Sequence, residues 1–249
     1  MTGTMRGANG WLLLALAALS AGAVAADQPA LPAPLEIQYS LHYGALTVGR
    51  VSKSLRRGAD GTYEYRSRSR PEGMARWFTH VEWLEEGRFE IVDGRVRPLR
   101  FLEYRVGADK SHRHEAVFDW SAGKIRYSHG AVADLVANTQ DQGSFPFALM
   151  LHPPPSDRPE RIAISGGKKL NVYAYRDGGA ETLATTLGSF KTHIVERVIH
   201  DKNDEGFRVW LATDYHNLPI RVATTKRGQD TVLELDSVSG ALNLPAAAR

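Results

Sequence analysis

The chain has 249 residues, a formal net charge of +3 and no Cys. That length buries a sizeable core without covalent staples. The missing Cys excludes a disulfide framework and thiol chemistry, and so small a charge excess gives no reason to expect nucleic acid.

Residues 1–25 read as a secretory signal. Arg6 precedes an apolar run from Trp11 to Leu19, and the small-x-small exit Ala23-Val24-Ala25 places cleavage before Ala26. The run is shorter than the roughly 20 apolar residues a spanning helix needs. The mature chain is therefore expected to have no membrane span and to work in the periplasm. Residues 26–34 form a Pro-rich spacer, and a single β domain is expected over 35–238, with a flexible tail at 239–249.

Leu35 to Tyr43 alternates apolar and polar residues, the pattern of a half-buried strand. A second strand is expected around Arg50 to Arg56, and Asp60-Gly61 makes a hairpin turn into Thr62 to Arg70. There Tyr63 and Tyr65 share one face, and Arg66, Arg68 and Arg70 the other. Pro71 to His80 breaks the alternation and carries Met74, Trp77 and Phe78. Val81 to Val92 reads as a strand kinked near Gly87, and Asp93-Gly94 is a second hairpin signal. Val96 to Val106 follows, with Pro98 marking an edge or bulge. In His112 to Trp120, the residues His112, His114, Ala116, Phe118 and Trp120 share a face.

Gln142 to Leu151 is the one expected helix, with Pro146 in its first turn. Strands resume from Arg161 to Val238. About twelve short strands with frequent turn signals argue for an all-β fold. The expected form is a large antiparallel, strongly curved sheet or open barrel with one or two short helices. Pro153 to Pro159 is read as a crossing loop within one sheet.

Several residues invite a functional reading. Arg66, Arg68 and Arg70 would stand at roughly 7 Å intervals along a strand and suit phosphates or carboxylates. The plainer alternative is a solvated face paired with Glu82, Glu85 or Glu86. Met74, Trp77 and Phe78 either cap the core or line the mouth of a cavity. His112 and His114 can bind a metal only with a third ligand, and nothing in the sequence marks one. No metal, cofactor or catalytic residue is expected, and metal is not expected to be needed for folding.

The segments Trp210-Leu211-Ala212-Thr213-Asp214 and Leu218-Pro219-Ile220-Arg221-Val222 stand out in the second half. Upstream lie Asp119-Trp120 and Gly188-Ser189-Phe190, and the opening stretch runs Tyr39-x-Leu41-x-Tyr43-Gly44-x4-Gly49. In order and spacing these resemble a family of exported bacterial proteins known as domain of unknown function 3108. In that family W-L-A-x-D precedes L-P-V-R-I. The resemblance spans about Leu35 to Val238. It implies an exported, mostly antiparallel β protein, similar in fold to the open barrels of periplasmic lipoprotein carriers. It brings no established activity and no catalytic residues. Physically the motif reads as structural: Trp210 ends a strand, Asp214 forms a turn, and Pro219 begins the next strand, where a missing N–H is tolerated.

The expected function is a non-enzymatic envelope protein that holds an apolar or amphiphilic ligand, or a lipid-modified partner, on a curved sheet. Tyr39, Leu41, Leu102, Tyr104, Phe118, Val195 and Leu233 are the expected lining. The alternatives are a hydrolase acting on envelope material and a protein–protein interaction module. The oligomeric state stays open.

Overall fold

The computed structural model describes residues 30–108, 112–201 and 204–244. The signal segment and residues 26–29 of the spacer lie outside them. The first half runs β1 (Leu35–Tyr43), β2 (Leu46–Arg57), β3 (Tyr63–Pro71), β4 (Glu82–Val92), β5 (Arg95–Val106), β6 (Arg113–Asp119), β7 (Lys124–Tyr127) and β8 (Val132–Asp134). Then come β9 (Thr139–Asp141) and the helix α1 (Phe145–Leu151). The second half is β10 (Glu160–Ser165), β11 (Leu170–Thr185), β12 (Gly188–Arg197), β13 (Gly206–Ala212), β14 (Leu218–Lys226) and β15 (Gln229–Gly240).

All fifteen strands join one sheet, in the order β8 to β1 and then β15 down to β9. Neighbours are antiparallel except β9 with β10, which run parallel. The first and last long strands, β1 and β15, therefore pair at the centre of the sheet. Two strands, β8 and β9, have only three residues each; both fall in the stretch from Ala131 where no alternation is visible.

The sheet rolls up without closing its ladder. Gln140 Nε2 donates to the Val96 carbonyl at 2.9 Å, bringing β9 against β5. Arg95 donates to Asn138 Oδ1 at 2.8 Å, and Tyr127 Oη meets Ser165 Oγ at 3.0 Å. The strands β6 to β8 thus run on past the seam and overlap the β9–β10 edge. Side chains rather than backbone pairs fasten the coil.

The helix sits on the concave side and ties the two halves together. Phe147 packs against Tyr65 and Phe89, at ring distances of 6.0 and 5.7 Å. Phe145 packs against Tyr175 and Phe207, at 4.9 and 5.9 Å. Burial of Phe145, Phe147, Leu149 and Met150 explains why so short a helix is stable. Pro146 stands in its first turn, where a missing N–H costs nothing.

Local chemistry explains the turns and breaks. Asp93 and Gly94 both have positive φ, at 51° and 74°, as a two-residue hairpin of matching twist requires. Pro98 sits opposite Phe89 beside a register shift, so its lost donor falls at a bulge. The domain ends later than Val238: β15 continues to Gly240, and Leu242 is buried in the main core. Leu31, expected in the spacer, is buried there too. Residues 245–249 of the expected tail lie outside the described residues. Among the described residues no helix is long and apolar enough to cross a membrane.

Candidate functional site

The cross-strand register defines the two faces of the sheet. Tyr39, Val51, Ser69 and Trp83 are successive partners across β1 to β4. Ile37, Lys53, Ser67, Glu85, Glu103 and His114 form the neighbouring row from β1 to β6. Directly opposite residues share a face, and Ile37 and Tyr39 belong to the buried core. Both rows therefore line the concave face. This face is apolar around α1 and turns polar and titratable toward β4, β5 and β6.

A cavity of about 300 Å³ lies between α1 and this face. Tyr39, Val51, Leu149, Phe207, Val222 and Leu233 give it an apolar wall, and Lys53, Ser67, Ser69 and Glu85 a polar one. Among the described residues, Lys53 has no ion pair within 4.0 Å. Burial holds the Glu85 carboxyl above the usual range; Lys53 pulls it down and Glu103 pushes it further up. A more open groove of about 690 Å³ is lined by Arg176, Glu196, Arg208 and Asp230 among others. Its walls are largely salt-bridged surface, Arg176 and Arg208 both pairing with Glu196, so it offers little to an apolar ligand.

Of the expected lining residues, Tyr39 and Leu233 reach the cavity. Leu41 pairs with Leu233 on the same face. Phe118 is in the main core and Val195 in a second cluster with Phe145 and Leu149. Leu102 and Tyr104 point the other way: they alternate with Phe101 and Glu103, and Tyr104 Oη donates to Glu86.

The arginine row also points away from the cavity. Arg66, Arg68 and Arg70 alternate with Tyr65, Ser67 and Ser69, which face inward. Arg68 Nε donates to Glu82 Oε2 at 2.6 Å. Arg70 lies 3.8 Å from Glu72, and Arg66 stands opposite Glu86 in the ladder. Of the two readings, the row matches the plainer one, a solvated outer face with acidic neighbours.

Met74 and Trp77 lie on a 3-10 turn over Gly73–Trp77, Phe78 follows it directly, and none of the three is buried in the core. Trp77 and Phe78 are 82% and 87% exposed. Antiparallel order puts this turn at the same rim as the end of β1, the start of β2 and the end of β5. Tyr43, Leu46, Trp83 and Val106 are exposed there as well. None of the six expected binding residues lines the cavity.

Asp141 is a buried node between the sheet and α1. Its Oδ1 accepts Tyr65 Oη at 2.5 Å and the Gly143 and Ser144 amides at 2.8 Å each. Its Oδ2 is buried without a partner. Burial pushes the Asp141 carboxyl up to about 6 against the pull of those hydrogen bonds. Burial, with the Asp141 charge beside it, holds the Tyr65 phenol well above its usual range. Sequence offered no sign of this pair, whose members are 76 residues apart.

The histidine pair does find a third group. Glu103 is the ladder partner of His114, and its Oε1 lies 3.9 Å from His112 Nε2. Nothing in the sequence marks Glu103; the β5–β6 register brings it beside the pair. Burial lowers both imidazole pKa values, with Arg105 and Lys168 adding to the effect at His112, and Lys168 and His112 at His114.

The W-L-A-x-D segment ends β13 and enters the short turn before β14. Trp210, 9% exposed, donates from Nε1 to Glu181 Oε1 at 2.5 Å. Asp214 is exposed in a short turn whose anchoring bonds come from its neighbours. Thr213 donates to the Lys191 carbonyl and Asn217 to the Met150 carbonyl. Pro219 sits beside a register shift, and its carbonyl accepts Tyr39 Oη at 2.8 Å.

Comparison with known proteins matches this architecture. The chain is similar to the crystal structure of a β-barrel-like protein of domain of unknown function DUF1849 from Brucella abortus, at a TM-score of 0.53 and 11% identity. The likeness covers 83% of this chain and 97% of that one, and at such identity it speaks to the fold alone. No curated protein matches the chain. The family described as "Protein of unknown function (DUF3108)" matches residues 38–236. That match spans the sheet from β1 to β15, and the chain belongs to this family.

Proposed function

We infer that this chain is an exported, non-enzymatic binding protein of the bacterial cell envelope that holds an amphiphile between α1 and the concave face. The observation that carries this reading is the chemistry of the cavity wall. Val51, Leu149, Val222 and Leu233 offer a tail an apolar surface, while Lys53 contributes a cation with no acidic partner within ion-pair distance. Burial of polar groups is costly unless they are paired. An acidic headgroup would pair with Lys53, flanked by the Ser67 and Ser69 hydroxyls and beside the Glu85 carboxyl that burial holds above its usual range. The volume of about 300 Å³ lies at the small end of the range for ligand pockets, which fits a single chain better than a multi-chain lipid.

Export rests on the layout of residues 1–25. Native purification from the periplasm, followed by solvent extraction and mass spectrometry, tests both points. The expected result is a chain beginning at Ala26 that carries a stoichiometric amphiphile. Protein that retains Trp11 to Leu19 in a membrane fraction would contradict export. Protein that is consistently free of amphiphile would contradict the binding role.

The exposed Met74, Trp77 and Phe78 favour a second reading, an interaction module docked through this rim. Its distinguishing mark is a partner lost on Trp77→Ser with the cavity unaltered.

A further inference from the structure

We propose that Glu103, His112 and His114 form a divalent-metal site of the zinc type on the concave face of β5 and β6. The site rests on its own geometry and does not depend on the cavity's binding an amphiphile.

His112 and His114 are two residues apart on extended chain, so both imidazoles leave the same face. Their ring centroids are 4.4 Å apart. The ladder sets Glu103 opposite His114. One donor atom from each of the three residues lies within 4.8 Å of the others. Tetrahedral zinc with bonds of about 2.0–2.1 Å holds its donors roughly 3.3 Å apart. Small side-chain rotations therefore close the set around an ion. His112 Nε2 is buried and lacks a hydrogen-bond partner, so an imidazole nitrogen stands ready without a competing contact. Two nitrogens and one carboxylate oxygen suit zinc, cobalt or nickel better than calcium or magnesium.

The surroundings build the site further. The Trp83 ring meets the His112 ring at 5.2 Å, and the Arg105 guanidinium stacks over Trp83 at 3.7 Å. From across the seam, the β10–β11 turn lies directly on the cluster. A Cβ at Gly167 would fall 2.5 Å from His114 Cβ and 3.0 Å from Glu103 Oε1, so only glycine permits this approach. Three protein ligands leave a fourth position open.

The test uses tag-free full-length chain stripped with a chelator and titrated with Co2+, then Zn2+. One equivalent of Co2+ is expected to give visible d–d absorption, which Zn2+ abolishes. Glu103→Gln and His114→Gln should each weaken uptake by at least roughly tenfold, the smaller loss seen when only an outer-shell partner is removed. His193→Gln, a histidine beside Asp177 on β12, should leave uptake unchanged. Circular dichroism of the metal-free variants checks that they fold. Should a variant fail to fold, imidazole NMR of the wild type decides, with His112 and His114 signals expected to move on Zn2+ addition. Absence of stoichiometric uptake, uptake unchanged in both variants, or imidazole shifts elsewhere would overturn the proposal.

Discussion

Tyr65 Oη donates to Asp141 Oδ1 at 2.5 Å inside the coil, joining β3 in the first half to the segment that leads into α1. The carboxyl is pushed up to about 6, against about 3.9 in an unfolded chain. The folded state therefore binds more protons between these values. The protonated form's contribution is complete below about pH 4 and is lost as pH rises through about 6. The difference amounts to roughly 3 kcal/mol. Asp141→Asn keeps an acceptor for Tyr65 and removes the titration. The stability of wild type relative to Asp141→Asn should fall as pH is raised from 4 to 7.5, read by chemical denaturation. A difference that stays flat or grows would show that Asp141 is ionised in the folded protein throughout.

Two glycines make room for the Tyr65 ring. A Cβ at Gly87 would stand 2.3 Å from it, and one at Gly143 2.2 Å. Gly87→Ala and Gly143→Ala should each destabilise by about 1–3 kcal/mol, the usual cost of overpacking. In the Tyr65→Ala background the Gly87→Ala penalty should largely vanish. A penalty that persists there would mean the strand needs glycine for another reason.

Much of the fold was readable from single strands. Alternation over Leu35 to Tyr43 matches β1 end to end, and Thr62 to Arg70 matches β3 within a residue. Pro146 rightly marked a first helical turn, although the helix starts at Phe145 rather than Gln142. The site was hidden because it is made of pairings. Glu103 meets His114, and Tyr65 meets Asp141, only through register and coil closure, which no local pattern encodes. The side the arginines take was legible. Arg66, Arg68 and Arg70 alternate with Tyr63 and Tyr65, and the aromatic face of such a strand turns inward. Which face was concave followed from those tyrosines.

Trp210→Ala should destabilise by roughly 3–5 kcal/mol. The indole is buried, and its N–H meets Glu181 Oε1. Trp210→Phe should cost less but still leave Glu181 without its donor, by about 1 kcal/mol. Denaturant midpoints read both. A wild-type midpoint for Trp210→Ala would show that the surrounding cluster does not depend on it.

The outer arginine row should be dispensable. Exposed ion pairs are worth about 0–1 kcal/mol each, and Arg68 and Arg70 stand in exposed pairs with Glu82 and Glu72. Arg66→Gln, Arg68→Gln and Arg70→Gln together should leave probe binding in the cavity unchanged. A strong loss of binding would place the ligand on the outer face.

The central claim is that an amphiphile occupies the cavity beneath α1. Its most direct measurement is titration of a fluorescent fatty-acid probe into delipidated protein, with wild type, Val222→Trp and Lys53→Gln compared. Val222 and Lys53 both line the cavity. Wild type should bind saturably and release the probe to envelope lipid extract. Val222→Trp should abolish binding by filling the space, and Lys53→Gln should weaken the acid probe more than its methyl ester. No saturable binding by folded wild type, or binding indifferent to Val222→Trp, would contradict the account.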